Sequence, residues 1–302
     1  MRQRTLKNTI GCKGVGLHTN RSVALRLRPA APDTGVLFRR TDLDRADATV
    51  AALHSNVVES LFCTTIGRDE ELRIGTIEHL MAAFGGLGID NVIVEIDGPE
   101  VPIMDGSAAP FVFLIECAGT VEQDAPRRVI RVLKPISITD GERSVAINPA
   151  DGLTISFELS YDNALIDRQS FSFDGENGGF KTELARARTY CLEEEVEYLR
   201  SLGLAQGGSL ENAIVVGDRG ILNEGGLRHE DEFVRHKVLD CLGDLRLAGA
   251  HLFGHFHGVR SGHRLNHQLL ETLFADESAW CSVTLPESRP NSQPCEPLAA
   301  SA

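Results

Sequence analysis

The chain repeats a short sequence at corresponding points of its two halves. The segment Arg-Ser-Val-Ala occurs at residues 21–24 and again at residues 143–146, and a proline–alanine pair follows each copy at residues 29–30 and 149–150. Each half later offers a helix that leads into an apolar segment. A duplication would constrain the chain to two similarly built domains whose equivalent helices meet at their interface. Four residues alone do not exclude a chance match, so the duplication is a hypothesis.

Length and composition agree with a two-domain globular protein. The 302 residues are 42% hydrophobic and 24% charged, which is typical of soluble folded chains. We expect an N-terminal α+β domain at residues 1–125 and a C-terminal α+β domain at residues 126–285, divided at a polar, proline-containing stretch. Residues 286–302 are rich in proline and polar side chains, and we expect them to be disordered.

The sequence shows no pattern for export or for membrane insertion. Its N-terminus is polar, and no run of about 18 apolar residues occurs. We therefore expect a cytoplasmic protein. A nucleic-acid-binding module would need a basic face and aromatic stacking residues. The net charge of −13, with one tryptophan and three tyrosines, argues against that class of partner.

One helix is predicted to begin near Thr76. Thr76 can cap it and the glycines at residues 85–86 can end it, while its apolar residues follow helical spacing at positions 77, 80, 81 and 84. Glu78 and His79 then emerge away from the apolar face. Patterns at residues 23–28 and 91–96 predict strands.

A second helix is predicted where His236, Asp240 and Asp244 follow one another at i+4 steps. Helical geometry stacks these three side chains along one face. Two carboxylates on one stripe destabilise a helix unless a cation neutralises them. The stripe therefore predicts a metal site.

Together, the two helices offer three metal ligands. His79, His236 and Asp240 provide the nitrogen and oxygen donors that catalytic zinc takes, with a fourth position left for water. Glu78 lies next to a ligand and can accept a proton from that water, which predicts a hydrolase. The alternative is that these histidines are ordinary core or surface residues. A zinc peptidase is a rival, but its sequence pattern needs a second histidine four residues from the first.

His263 follows a glycine and is a candidate acid. A cationic His263 would stabilise an oxyanion or protonate a leaving amine if Asp244 raised its pKa. Lys237, Arg260 and Arg264 form a basic cluster nearby, which predicts either a solvated face or a phosphate contact.

Short motifs extend along nearly the whole chain, up to about residue 285. They are residues 14–18 (GVGLH), 76–80 (TIEHL), 88–91 (GIDN), 102–107 (PIMDGS), 207–209 (GGS), 236–240 (HKVLD) and 261–263 (SGH). With these motifs the chain resembles the zinc-dependent UDP-3-O-acyl-N-acetylglucosamine deacetylases of Gram-negative lipid A synthesis. The resemblance implies an α+β fold of two similarly built domains, each a β-sheet packed on helices. It places the helices between the sheets and the active site in the interdomain cleft.

The resemblance also implies a role for each candidate residue. It makes one Zn²⁺ per chain the cofactor, with Fe²⁺ as the alternative, since similar ligands hold both ions. The implied metal ligands are His79, His236 and Asp240. The implied catalytic residues are Glu78 as general base, His263 oriented by Asp244 as cationic acid, and Thr189 as the hydroxyl that helps to hold the oxyanion.

Substrate contacts follow from the same resemblance. Those implied for the cleft and the acyl passage are Leu17, His18, Phe62, Cys63, Tyr190, Gly208 and Ser209. Lys237 and Arg260 would meet the phosphates of the nucleotide. Tyr190 stands where the family's phenylalanine is expected, and Arg260 stands where a lysine is common.

The reaction implied by the resemblance is hydrolysis of the N-acetyl group of UDP-3-O-[(3R)-3-hydroxyacyl]-N-acetylglucosamine, with release of acetate. This reaction is an early committed step of lipid A biosynthesis. The expected partner is therefore a small-molecule substrate, not nucleic acid. We expect a monomer that associates transiently with the inner membrane, because the substrate carries an acyl chain.

Overall fold

The computed structural model describes residues 1–286. The described residues form a mixed α+β fold with six α-helices and several sheets, as predicted. The predicted disordered tail, residues 286–302, lies outside the described residues except for Pro286. Within residues 1–286, no helix has the length and apolar content needed to cross a membrane.

The first 126 residues contain ten strands and two α-helices. In chain order these are β1 (Arg2–Leu6), β2 (Ile10–Val15), β3 (Ser22–Pro29), β4 (Val36–Arg40), β5 (Thr49–Ala51), β6 (Val57–Glu59), β7 (Thr65–Gly67), β8 (Arg73–Ile74), α1 (Glu78–Gly86), β9 (Val92–Ile96), α2 (Ala109–Ala118) and β10 (Thr120–Pro126). Strands predicted at residues 23–28 and 91–96 are confirmed as β3 and β9.

The rest of the described chain contains ten strands and four α-helices. These are β11 (Arg128–Val132), β12 (Ile136–Asp140), β13 (Arg143–Asn148), β14 (Leu153–Ser160), β15 (Arg168–Asp174), α3 (Phe180–Glu183), β16 (Tyr190–Leu192), α4 (Glu193–Ser201), β17 (Ile214–Gly217), β18 (Gly220–Ile221), α5 (Glu232–Leu245), β19 (His251–Val259), α6 (His263–Ala275) and β20 (Trp280–Thr284).

Both halves build the same five-stranded path. The first sheet has the order β2-β3-β9-β4-β5, and the second contains the path β12-β13-β19-β14-β15. In each path only the pair between the third and fourth strands is parallel. The repeated segments at residues 21–24 and 143–146 overlap β3 and β13. The topology therefore confirms two similarly built halves, in which α1 corresponds to α5 and α2 to α6.

The equivalent helices α1 and α5 pack directly against each other. Their backbones approach so closely that a Cβ atom built on Gly243 would lie 2.1 Å from the carbonyl oxygen of Glu78. Leu80, Met81 and Phe84 of α1 are fully buried, as the helical spacing predicts. This contact brings the first turn of α1 beside the last turn of α5.

The predicted helix cap at Thr76 is wrong. Helix α1 begins at Glu78 with Ile77 at the N-cap position, and no side chain caps it. Thr76 has a positive φ of 55°, and its hydroxyl donates instead to Oε1 of buried Glu100 at 2.9 Å. A tertiary hydrogen bond has replaced the local one.

The chain passes from one sheet system to the other near residue 127. Strand β10 pairs with β1, whereas β11 pairs with β19 and β20. The domain limits 1–125 and 126–285 stay a prediction, and the change of sheet occurs beside the limit that was predicted.

Candidate metal centre and active site

Three buried side chains converge where α1 meets α5. His79 comes from the first turn of α1, and His236 and Asp240 come from successive turns of α5. Oδ1 of Asp240 lies 3.5 Å from Nε2 of His79 and 3.3 Å from Nε2 of His236. One donor atom from each of the three residues lies within 4.8 Å of the other two. The geometry therefore brings the three predicted ligands together.

The donor set suits a small divalent metal ion. Donors about 2.1 Å from a tetrahedral zinc ion lie roughly 3.4 Å from one another, which matches the two distances to Asp240. Oδ1 of Asp240 is buried and has no hydrogen-bond partner among the described residues, which is costly unless a cation takes its place. The cluster fits a metal better than it fits an ordinary core.

His236 is prepared for ligation by its surroundings. Its Nδ1 lies 3.1 Å from the carbonyl oxygen of Ala187 and donates to it, which leaves the lone pair of Nε2 directed at Asp240. Burial lowers the pKa of His236 to about 3, although the charge of Asp240 acts in the opposite direction. The imidazole is therefore neutral at pH 7, as a metal ligand must be.

The second oxygen of Asp240 is held by Lys237. The ammonium donates to Oδ2 at 3.0 Å and lies 5.6 Å from the centre of the Tyr190 ring. Burial raises the pKa of Asp240, but its polar neighbours, among them the ammonium of Lys237, outweigh burial and keep it well below its usual range. Lys237 is thus engaged inside the site, and its predicted phosphate contact stays a prediction.

Glu78 stands beside the donor cluster at the start of α1. It is only 4% exposed, and burial raises its pKa although the neighbouring imidazoles of His263 and His79 lower it. The amide N–H of Thr64 donates to Oε2 at 3.1 Å. The other oxygen, Oε1, lies 3.8 Å from Nε2 of His263. One carboxylate oxygen therefore remains available to accept a proton.

His263 lies at the first position of α6, next to Glu78. Its Nδ1 lies 2.8 Å from Oδ2 of Asp244, and Nδ2 of Asn266 donates to the same oxygen at 2.9 Å. Burial lowers the pKa of His263, but the charges of Asp244 and Glu78 outweigh burial and raise it to about 10. The predicted cationic acid is thus electrostatically favoured, with Nε2 directed towards the donor cluster.

A cavity of about 710 Å³ lies beside this centre. Its wall is mainly apolar and extends along α4 and the loop that follows it. The predicted residues that line it are Leu17, His18, Phe62, Thr189, Tyr190, Gly208 and Ser209. Thr189 is fixed by its amide, which donates to the carbonyl oxygen of Gly106 at 2.8 Å. A role for its hydroxyl at an oxyanion stays a prediction.

Three predicted substrate contacts do not belong to the cavity wall, namely Lys237, Cys63 and Arg260. Cys63 precedes Thr64, and its thiol lies 3.6 Å from the hydroxyl of Thr65. Burial raises the pKa of Cys63 to about 12, so its sulfur is a neutral thiol. Arg260 follows β19, has a positive φ of 51° and forms a surface ion pair with Glu142. Its predicted contact with phosphate stays a prediction.

The structure adds residues that the sequence analysis did not identify. They are Thr64, Ala187 and Asn266, whose groups contact Glu78, His236 and Asp244. Asn266 could have been suspected, because it lies three residues after His263 and therefore on the same helical face. Thr64 and Ala187 carry no comparable pattern, since their contacts depend on tertiary packing.

Comparison with known proteins agrees with this geometry. A family model described as UDP-3-O-acyl N-acetylglycosamine deacetylase matches residues 3–275. A protein named UDP-3-O-acyl-N-acetylglucosamine deacetylase from Acidithiobacillus ferrooxidans is 50% identical over 291 residues, which cover 96% of this chain and 95% of that protein. The protein of this name from Pseudomonas entomophila is 50% identical over 282 residues, covering 93% and 92% of the two chains. The one from Vibrio vulnificus is 48% identical over 289 residues, covering 95% and 94%.

Proposed function

Because this chain belongs to the UDP-3-O-acyl-N-acetylglycosamine deacetylase family, we propose that it hydrolyses the N-acetyl group of UDP-3-O-[(3R)-3-hydroxyacyl]-N-acetylglucosamine and releases acetate. The chain is a hydrolase of the deacetylase class. The observation that carries the proposal is the buried cluster of His79, His236 and Asp240, with Glu78 on one side and a cationic His263 beside it. The reaction would be an early committed step of lipid A biosynthesis.

The proposed cofactor is one zinc ion per chain, held by His79, His236 and Asp240, with ferrous iron as the alternative. When bound, such an ion polarises an amide carbonyl and lowers the pKa of a water molecule to roughly 7. The nitrogen and oxygen donors of these three residues suit both Zn²⁺ and Fe²⁺. The orphaned Oδ1 of Asp240 supports a resident cation.

Glu78 acts as the general base in this proposal. Its Oε2 is occupied by the amide of Thr64, so Oε1 takes the proton from the attacking water. Burial raises its pKa and makes the carboxylate a stronger base than an exposed glutamate. Its rigid position at the start of α1 keeps that oxygen close to the donor cluster.

His263 acts as the cationic group that stabilises the oxyanion. Asp244 holds Nδ1, so Nε2 is the nitrogen that faces the reacting amide. In this proposal the hydroxyl of Thr189 donates a hydrogen bond to the same oxyanion. The departing amine takes its proton from His263 or, alternatively, from Glu78.

The substrate would extend away from this centre in two directions. The mainly apolar cavity lined by Phe62, Tyr190 and neighbouring residues suits the acyl chain, and Lys237 and Arg260 are the proposed contacts for the phosphates. The active site then lies in the cleft between the proposed domains. We propose that the enzyme is a cytoplasmic monomer that approaches the inner membrane transiently to obtain its acylated substrate.

The test is acetate release from the acylated UDP-sugar by purified protein. Activity is measured before chelation, after chelation, and after one equivalent of Zn²⁺ or Fe²⁺ is restored. Loss on chelation and recovery with one equivalent would support both the metal chemistry and the substrate class. No release by the metal-loaded protein would overturn the proposed reaction, and activity unaffected by complete metal removal would overturn the metal assignment.

A further inference from the structure

Thr64 contacts both of the carboxylates that flank the reaction centre. It is 2% exposed and directly precedes β7. Its amide N–H donates to Oε2 of Glu78 at 3.1 Å, and its hydroxyl donates to Oδ1 of Asp244 at 2.6 Å. Asp244 lies 180 residues further along the chain, on helix α5 of the other half. One small side chain therefore connects the two halves inside the site.

These two hydrogen bonds determine which carboxylate oxygens of Glu78 and Asp244 are left to interact with other groups of the site. On Glu78 the Thr64 amide occupies Oε2, so Oε1 is the oxygen that faces His263 at 3.8 Å. On Asp244 the Thr64 hydroxyl occupies Oδ1, while Oδ2 receives Nδ1 of His263 and Nδ2 of Asn266. The Asp244 carboxylate is thus fixed from both sides and cannot turn without breaking a short hydrogen bond.

We propose that Thr64 is a positioning residue that sets the distance and orientation of Glu78 relative to the Asp244–His263 pair. This inference rests on the proposed roles of Glu78 as base and His263 as acid. The two groups come from different halves of the molecule, and Thr64 bonds Glu78 directly and His263 through Asp244. Misplacement of reacting groups by about 1 Å can reduce a rate roughly 10²-fold, so loss of the short bond to Asp244 should slow the reaction.

A purely structural role gives a different expectation. If the hydroxyl only satisfies a buried carboxylate, its removal lowers stability but leaves the geometry of the surviving folded protein intact. Turnover per folded, metal-loaded molecule would then be unchanged. If Thr64 positions the pair, turnover falls even in the fraction of protein that is folded and loaded.

The experiment compares Thr64→Val with Thr64→Ser and with the matched control Thr65→Val. Valine keeps the shape and the amide N–H but removes the hydroxyl, whereas serine keeps the hydroxyl. Thr65 is the adjacent residue, and its hydroxyl contacts the thiol of Cys63 and neither carboxylate. We expect Thr64→Val to reduce kcat about 10- to 100-fold, the range given by loss of a hydrogen bond to a charged group. KM and bound metal should change less than twofold, and Thr64→Ser should retain at least half of the wild-type kcat.

A double-mutant cycle with Asp244→Ala tests whether the effect passes through Asp244. Where Asp244 is absent, Thr64→Val should reduce kcat less than threefold, because the hydroxyl has lost its acceptor. An undiminished effect in that background would overturn the proposal, and so would an unchanged kcat in folded, metal-loaded Thr64→Val. If the valine variant does not fold, Thr64→Ala and Thr64→Ser supply the same comparison.

An activity-independent measurement separates this inference from the proposed function. The proton on Nδ1 of His263 should give a low-field NMR resonance, assigned by its loss in His263→Gln. Thr64→Val should shift this resonance, and Thr65→Val should leave it in place. A wild-type protein that releases no acetate would refute the proposed function, whereas an active wild type with an unshifted resonance in Thr64→Val would refute only the positioning role.

Discussion

The two equivalent helices both begin with a glutamate, but the pKa values of the two carboxyl groups are shifted in opposite directions. Helix α1 begins at Glu78 and helix α5 begins at Glu232, and both side chains are buried. Burial raises the pKa of Glu78, and its neighbouring imidazoles do not reverse the shift. Burial also raises the pKa of Glu232, but hydrogen bonds from Arg188 and from backbone amides outweigh burial and lower it. The pKa of the carboxyl group is therefore raised at the start of one helix and lowered at the start of the other.

The partners of each carboxylate explain this difference. Oε1 of Glu232 accepts from the amide and Nε of Arg188, and Oε2 accepts from Nη2 of Arg188 and the amide of Arg228. Glu78 receives a backbone N–H on one oxygen only. A carboxylate whose two oxygens both accept hydrogen bonds from the protein is held in place by them. A carboxylate with one oxygen that lacks such a bond can accept a proton there. In this duplicated fold the surroundings of the glutamate, more than its place on the helix, set the direction in which its pKa shifts.

The largest effect should come from removing a metal donor from either helix. His79→Ala in α1 or His236→Ala in α5 leaves two ligands, so we expect loss of stoichiometric metal and a fall in kcat of roughly 10³-fold or more, because the ion supplies several kcal/mol. Metal analysis and acetate release measure both. His255→Ala is the control, because this histidine bonds Thr154 away from the cluster. Full metal content in either ligand variant would show that the two helices do not share one site.

Replacing Glu78, the proposed general base, should separate turnover from metal binding. We expect Glu78→Gln to reduce kcat about 10²- to 10⁴-fold, the usual range for a general base, while the bound metal is retained. Metal content and kcat measured on the same samples provide the check. Loss of the metal together with activity would mean that Glu78 is a ligand, and the contrast between the two glutamates would then need another explanation.

Replacing the anchoring glutamate should affect folding more than chemistry. Glu232→Gln leaves the buried guanidinium of Arg188 without its counter-ion, which typically costs about 3–5 kcal/mol of unfolding free energy. Urea unfolding at pH 7 measures this loss. The metal donors remain in place, so we expect kcat of the folded fraction to change less than tenfold. A fall of more than tenfold in the kcat of the folded fraction would contradict the assignment of Glu232 as an anchor.

The pH dependence of stability gives a second measurement on the same variant. The folded pKa of Glu232 lies below its unfolded value, so its contribution to stability is complete above the unfolded pKa of about 4.3. That contribution is lost as the pH falls through the folded pKa. We therefore expect the wild type to lose unfolding free energy more steeply than Glu232→Gln below about pH 4. Equal slopes would show that the carboxylate carries no such linkage.

Periodicity and motifs predicted the parts of this comparison that are local in sequence. The i+4 stripe of α5 and the helical spacing of α1 predicted both helices, and the repeated Arg-Ser-Val-Ala segment predicted equivalent halves. The cap at Thr76 was wrong because a distant carboxylate, Glu100, took its hydroxyl. The Thr64 contacts and the Arg188–Glu232 pair join residues far apart in the chain. Such contacts are specified by packing, which no short sequence pattern reveals.

The smallest predicted effect concerns glycines at the interface of the two helices. A Cβ atom at Gly243 of α5 would lie 2.1 Å from the carbonyl oxygen of Glu78, whereas one at Gly85 of α1 would lie 3.6 Å from the nearest atom of Leu242. We expect Gly243→Ala to push the helices apart and to lower the unfolding free energy by about 1–3 kcal/mol, the usual cost of overpacking. It should also reduce kcat, since the donors on α1 and α5 move relative to each other. Urea unfolding and acetate release measure the two effects.

Gly85→Ala is the matched control, because it makes the same substitution in the same interface without a clash. Its Cβ would have ordinary van der Waals contacts, and alanine is favoured over glycine within a helix by up to about 1 kcal/mol. We therefore expect Gly85→Ala to be neutral or stabilising, with kcat unchanged. Equal destabilisation by the two alanines would show that the interface tolerates neither methyl group. A harmless Gly243→Ala would show that the close approach of the helices does not set the geometry of the site.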